Sequence, residues 1–268
     1  MFPPERIVCL TEETVETLYL LGEERRIAGV SGYAVRPPQV RREKPRVSAF
    51  ISADFEKIVA LKPDLVLTFS DLQADIAAEL IRRNIAVHAF NQRDVAGIFA
   101  MIRTLGALVG ATEKAEALAV SLEDRFDEVR ERGEQLPRRP RVYFEEWDEP
   151  MISGLKWVSE LIEAAGGIEI FPQLAANKNA KDRIVGRDAV ITAAPDIIIG
   201  SWCGKKFVPA KVKAREGFSA IPAVRDNELH EIKSALILQP GPAALTDGLD
   251  QLVRIVGDWA SRVSTSVR

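Results

Sequence analysis

The sequence predicts an α/β protein of two similar lobes, each built on a central parallel-rich sheet and joined by one long rigid helix. Three observations carry this expectation. A helix–Pro-Asp–strand segment recurs further along the chain, apolar runs of strand length follow helical stretches, and one amphipathic stretch of about 20 residues separates the two copies.

The elements follow in order. Residues 6–10 form a short apolar run, and residues 11–22 place Val15, Leu18 and Leu21 at three-residue spacing before Gly22, so strand is followed by helix. Residues 27–30 are a second strand. After the loop at Pro37 and Pro38, residues 55–61 read as a helix ended by Pro63, and residues 65–69 as a fully apolar strand of a sheet covered on both faces. Residues 74–83 are helical and residues 86–90 a strand. A helix over 96–109 stops at Gly110. Residues 113–133 then put Ala115, Leu118, Ala119, Leu122, Phe126 and Val129 on one face, long enough to span roughly 30 Å. Gly133, Pro137 and Pro140 close that helix, and residues 141–145 begin the second lobe as a strand. The expected organisation is an N-terminal lobe over 1–111, a linking helix over 112–136 and a C-terminal lobe over 137–268.

The second lobe repeats the first. Residues 56–67 are echoed by residues 188–199, and the same interval of 132 residues separates Glu56 from Asp188 and Asp64 from Asp196. Arg6-Ile7-Val8 is echoed by Arg141-Val142-Tyr143 at a similar interval. Two matched segments in one order indicate a duplicated lobe.

Composition narrows the function. The 268 residues are 47% apolar, and 36 basic against 39 acidic residues give a net charge of −3, well mixed along the chain, so no general field attracts nucleic acid. Cys9 and Cys203 are too few for a disulfide framework. Residues 1–6 lack the basic start and apolar stretch of a secretory signal, which gives a cytoplasmic expectation for the sequence as it stands and a periplasmic one if a signal has been removed. No apolar run approaches the ~20 residues of a membrane span. No Gly-rich phosphate loop, Gly-x-Ser-x-Gly elbow or His-Glu-x-x-His helix is present, so the expectation is a binding protein and not an enzyme.

The chain resembles a known family in Gly29-Val30-Ser31-Gly32-Tyr33 with Pro37-Pro38, in residues 55–67, in Ser153-Gly154, in residues 165–171 and in residues 185–199. That family is the helical-backbone substrate-binding proteins of ABC importers, and the cobalamin-binding members are the most similar. The resemblance implies a soluble, monomeric protein with no intrinsic cofactor, holding cobalamin or a similar metal chelate in a cleft between two lobes. It also implies a membrane subunit of an ABC importer as partner, docked through Glu56 and Asp188, one acid on each lobe. Where relatives carry a tryptophan in the second lobe this chain has Asp182, and their charged contacts near the last strand fall at Ala235 and Gln239.

In an open α/β sheet, ligands sit beyond the carboxyl ends of the strands. Tyr33, Phe50, Trp147 and Trp202 fall at such ends and suit a large, flat, partly apolar ligand. Glu145 and Glu146, beside Trp147, are the candidate polar contacts. Glu12 and Glu149 read as helix-start acids in solvent, and residues 205–213 as a solvated basic loop, with a flexible lip that meets anionic groups on the ligand as the alternative. His88 and His230 lie far apart in strand-like segments, so no direct metal site is expected. The long helix predicts little domain closure, with adaptation confined to residues 177–183 and 205–213. The alternative is a cytoplasmic cofactor-handling enzyme or chaperone on the same fold, with Glu145 or Glu146 as acid or base.

Overall fold

The computed structural model describes residues 2–265, so Met1 and residues 266–268, at the ends of the two expected lobes, lie outside the described residues. The chain divides into two compact units, Met1–Gln92 with Ala96–Glu123, and Arg93–Val95 with Asp124–Arg268.

In the first unit, β1 (Ile7–Cys9), β2 (Ile27–Ser31), β3 (Arg46–Ser48), β4 (Leu65–Phe69) and β5 (Val87–Phe90) form a parallel sheet in the order β3-β2-β1-β4-β5. All five residues of β4 are buried, as its unbroken apolar sequence requires of a strand covered on both faces. One core layer gathers Val8, Leu10, Val47, Ile58, Val66, Ile76 and Leu80. From β1 the chain winds outward through β2 and β3, then crosses to the other side of β1 for β4 and β5. The reversal lies between β1 and β4, which defines the crevice where such sheets take ligands.

The second unit contains β6 (Arg141–Asp148), β7 (Met151–Ser153), β8 (Ile168–Glu169), β9 (Ile197–Gly200) and β10 (Leu229–Glu231), in the order β10-β9-β6-β7 with β8 also on β6. The first half of β6 pairs parallel with β8, and its second half turns into an antiparallel hairpin with β7, Trp147 opposite Ile152. The sequence reading ended this strand at Glu145. It runs on to Asp148 because β7 supplies a ladder that the polar side chains of residues 145–148 do not advertise.

The duplication extends to individual bonds. Ile7 pairs with Leu65 as Val142 pairs with Ile197. The Asp64 carboxylate accepts from the backbone N–H groups of Glu5 and Arg6 at 2.7 and 3.0 Å, and Asp196 accepts from Arg141 at 2.8 Å. The preceding helices, Phe55–Ala60 and Arg187–Ala193, each give way to a left-handed residue before Pro-Asp, Lys62 at φ 48° and Ala194 at φ 44°. A non-glycine residue pays about 1–2 kcal/mol for that conformation, so its recurrence marks a shared backbone path.

The long helix is Thr112–Glu134, and the divide between units falls within it. Ala115, Ala119, Leu122 and Val129 form its buried stripe, while Leu118 and Phe126 are only partly covered. Gly133, read from sequence as a stop, lies inside the helix. A Cβ there would stand 2.3 Å from the Ala164 carbonyl oxygen, so the residue serves close backbone packing.

Candidate functional site

In the first unit the crevice between β1 and β4 is filled by Gln73, which is fully buried. Its side-chain amide donates to the carbonyls of Leu10 at 3.3 Å and Phe50 at 2.7 Å, while its oxygen accepts from Phe69 N–H at 3.0 Å. One side chain thereby ties together the loops that leave β1, β3 and β4. Beside it, Ser70 at φ 58° and ψ 178° occupies a region that is nearly exclusive to glycine, and its hydroxyl accepts from Leu72 N–H at 3.3 Å. Exposed apolar side chains lie on the Phe50 and Leu72 loops and on the loop after β2: Ile51 is 72% exposed, Leu72 56% and Tyr33 55%, with Phe50 half-buried. Ile51 and Leu72 escaped the sequence reading because an exposed aliphatic in a loop carries no pattern of its own.

Below Tyr33 lies a pair of acids at the start of the helix Glu12–Leu20. Both are buried, contrary to the solvated role read for Glu12. Burial and the neighbouring Glu12 push the Glu13 carboxyl up to about 8, partly offset by the Thr11 hydroxyl, which donates at 2.7 Å. Burial also raises Glu12, whose Oε1 receives the Ser31 hydroxyl at 3.4 Å and whose Oε2 has no hydrogen-bond partner. Cys9, behind them, is held protonated by burial, its thiol pushed up to about 12.

In the second unit the corresponding crevice, between β6 and β9, is filled by a salt bridge. Glu145 is completely buried and accepts from Arg215 at 2.6 and 2.9 Å and from the Trp202 indole N–H at 2.9 Å. Trp202 is 2% exposed and packs edge-on against Phe207, whose ring lies where a Cβ on Gly200 would stand. The sequence reading put Glu145 and Trp202 on the ligand surface; the structure puts both inside the unit. A strand-end carboxylate that finds a guanidinium and an indole N–H is more stable enclosed with them than facing water.

Trp147 and Glu146 stay half-buried. The Trp147 indole N–H donates to the Glu149 carbonyl at 2.9 Å, and the Lys205 ammonium stands over the Trp147 ring, 3.8 Å from its centroid. Lys205 also pairs with Asp148, and Lys211 approaches the same carboxylate at 3.9 Å. Burial pushes Asp148 upward, but the Lys205 ammonium outweighs it and holds the carboxyl below its usual range. Residues 205–213 are therefore not an open basic loop: Pro209–Lys213 is helical, and Lys205 is engaged. Glu146 pairs with Arg183, a nearly fully buried arginine that also donates to the Ser153 carbonyl.

Glu56 and Asp188 sit in the first turns of equivalent helices, their side chains 84% and 92% exposed. Arg83 reaches Glu56 at 2.8 Å, and Arg187 stands 3.8 Å from Asp188. His88 lies edge-on to Phe90, and His230 bonds to Glu228 at 2.9 Å. Among the described residues no group of three His, Cys, Asp or Glu side chains is placed to hold a metal ion. No helix among them is long and apolar enough to cross a membrane.

Comparison with known proteins agrees with this architecture. The family model described as "Periplasmic binding protein" matches residues 7–236. A substrate-binding lipoprotein of an ABC transporter from Bacillus subtilis, YvrC, is 25% identical over 260 residues, covering 94% of this chain and 80% of that protein. The vitamin B12-binding protein of Vibrio cholerae is 24% identical over 255 residues, covering 94% of this chain and 88% of the relative. The haem-binding periplasmic protein RhuT of Roseiflexus shares the fold, with a TM-score of 0.81, 22% identity and coverage of 94% and 99%. These relatives are binding proteins, as the absence of catalytic motifs led us to expect, and they lend no support to an enzyme that uses Glu145 or Glu146 as acid or base.

Proposed function

The chain belongs to the periplasmic binding protein family, and on that premise we propose that it delivers cobalamin or a similar metal chelate to an ABC importer. The observation that carries this reading is the apolar rim of Tyr33, Phe50, Ile51 and Leu72 at the carboxyl end of the first sheet, where the buried Gln73 fastens the Phe50 loop. Exposed apolar side chains on a rigid frame suit the face of a large ring, because no ordering of the loops has to accompany binding. Trp147 and Glu146, half-buried at the end of β6 in the second unit, are the remaining candidate ligand contacts. The buried Glu145 and Trp202 act beneath that surface by fixing the loops that carry it.

The importer's membrane subunit docks on Glu56 and Asp188, whose exposure and equivalent placement on the two units support the role implied by the resemblance. Relatives are named as periplasmic proteins or lipoproteins, and an extracytoplasmic site of action follows from that company. The cargo is bound as substrate and leaves again, so the protein needs no resident cofactor.

Isothermal titration with cyanocobalamin and with haemin tests the reading. Saturable binding of cyanocobalamin at one site, weakened by Tyr33→Ala and Ile51→Ala, is expected. Failure to bind either compound removes this ligand class.

A further inference from the structure

The acids beneath Tyr33 have no role in that reading so far, and their geometry is unusual. Glu12 is 7% exposed, yet Oε2 lacks a hydrogen-bond partner, and the carboxyl is otherwise met by its own backbone N–H and by the long contact from Ser31 to Oε1. Leaving a buried carboxylate oxygen unbonded is costly, so such an atom persists where something else completes it. The same Ser31 hydroxyl oxygen accepts from Tyr33 N–H at 3.2 Å, which puts Glu12 one hydrogen bond away from the turn that presents Tyr33. Glu13 does not compete for an incoming donor, since its carboxyl is engaged by Thr11 and held largely protonated near neutral pH.

We propose that Glu12 is a ligand-recognition residue whose free oxygen accepts an N–H donor from the ligand's periphery. It thereby selects a chelate that carries primary carboxamides, as a corrinoid does, over one that carries carboxylates, as a haem does. The inference rests on the proposed ligand-binding role. A carboxamide placed against Tyr33 offers the N–H that Oε2 lacks. A propionate at the same place brings a second carboxylate, which has no N–H to offer and whose charge opposes that of Glu12. Oε2 is itself buried, so Glu12 has to turn its side chain to meet the ligand.

The test has two arms. In the first, propionamide and propionate are titrated into isotopically labelled protein and followed by two-dimensional NMR. Propionamide is expected to shift the Ser31 and Tyr33 amide signals in the wild type and not in Glu12→Ala, while propionate shifts neither. Propionamide shifts that persist unchanged in Glu12→Ala, or that never appear, overturn the proposal whatever the larger ligand proves to be. In the second arm, cyanocobalamin and haemin are titrated calorimetrically into wild type, Glu12→Ala and Glu12→Gln, with Glu128→Ala on the exposed face of the long helix as control and thermal melts confirming that each variant is folded. Glu12→Ala is expected to weaken cyanocobalamin roughly tenfold, the worth of one charge-assisted hydrogen bond, and to leave haemin unchanged or tighter, with Glu12→Gln intermediate. Equal weakening of both ligands, or a wild type that prefers haemin, overturns the selectivity. Failure of the wild type to bind either removes the proposed cargo, and the propionamide result still decides the role of Glu12.

Discussion

Arg215 donates two hydrogen bonds, at 2.6 and 2.9 Å, to the carboxylate of Glu145, which has no exposed surface at all. Removing one partner strands a charge in the interior, and breaking such a pair costs about 3–5 kcal/mol. Arg215→Met should lower the unfolding free energy by that order in urea titrations. The double variant Arg215→Met with Glu145→Leu should recover most of the loss, because no charge is then left buried. A double variant as unstable as the single one would show that the packing around Trp202, and not the ion pair, is what matters.

Gln73 offers a second test of the same kind in the first unit. Gln73→Leu keeps the volume and leaves the Leu10 and Phe50 carbonyls and the Phe69 N–H without their partner, at roughly 1–3 kcal/mol for each group that water cannot reach. We expect a stability loss of at least about 2 kcal/mol, together with faster amide exchange at Phe69 than in wild type. Unchanged exchange at Phe69 would mean that Gln73 does not hold the rim.

These two plugs show what the sequence discloses and what it does not. The duplicated α/β frame is legible because Pro63-Asp64 and Pro195-Asp196 each stand between a helix and an apolar strand at the same interval, although the bonds that their carboxylates accept come from Arg6 and Arg141, far away in sequence. Tyr33 and Phe50 read as candidates from their positions after strands. Gln73 carries no such signal, and the burial of Glu12 and Glu13 after the first strand is not legible either, because burial of a polar side chain depends on partners far away in sequence, such as Phe50 for Gln73. Trp202 and Glu145 looked like ligand contacts for the converse reason: a polar group at a strand end reads as exposed until Arg215, 70 residues on, is seen to enclose it. The hairpin of β6 with β7 was missed since Glu145, Glu146 and Asp148 break the apolar signature of a strand.

The pH dependence of stability should carry the mark of Glu13. Its carboxyl titrates at about 8 in the folded protein, against about 4.3 when unfolded. Between those values the unfolded chain has lost a proton that the folded one keeps, so stability falls as pH rises through the window from about 4.3 to 8, and is greatest below it. Glu13→Gln keeps an acceptor for Thr11 and removes the titration. Its melting temperature should exceed that of wild type at pH 8 by a few degrees, on a scale of roughly 2–4 °C per kcal/mol, and the difference should shrink toward pH 4. A constant offset between the two proteins at all pH values would contradict the assignment.

Tryptophan fluorescence isolates the rim of the second unit. Trp157, Trp202 and Trp259 are buried at 2%, 2% and 9% exposure, leaving Trp147 as the ring open to a quencher and partly covered by Lys205. Lys205→Ala should increase acrylamide quenching, and a bound ligand should reduce it again. Quenching that is indifferent to Lys205→Ala would show that the ammonium does not rest on the ring in solution.

The central claim, that this chain carries a corrinoid-like chelate, is tested most directly by native mass spectrometry of the protein after incubation with cyanocobalamin. The account predicts a single added mass equal to one cyanocobalamin, retained under gentle activation and diminished in Ile51→Asp. A spectrum that shows only the unliganded chain at every concentration of cyanocobalamin would contradict it.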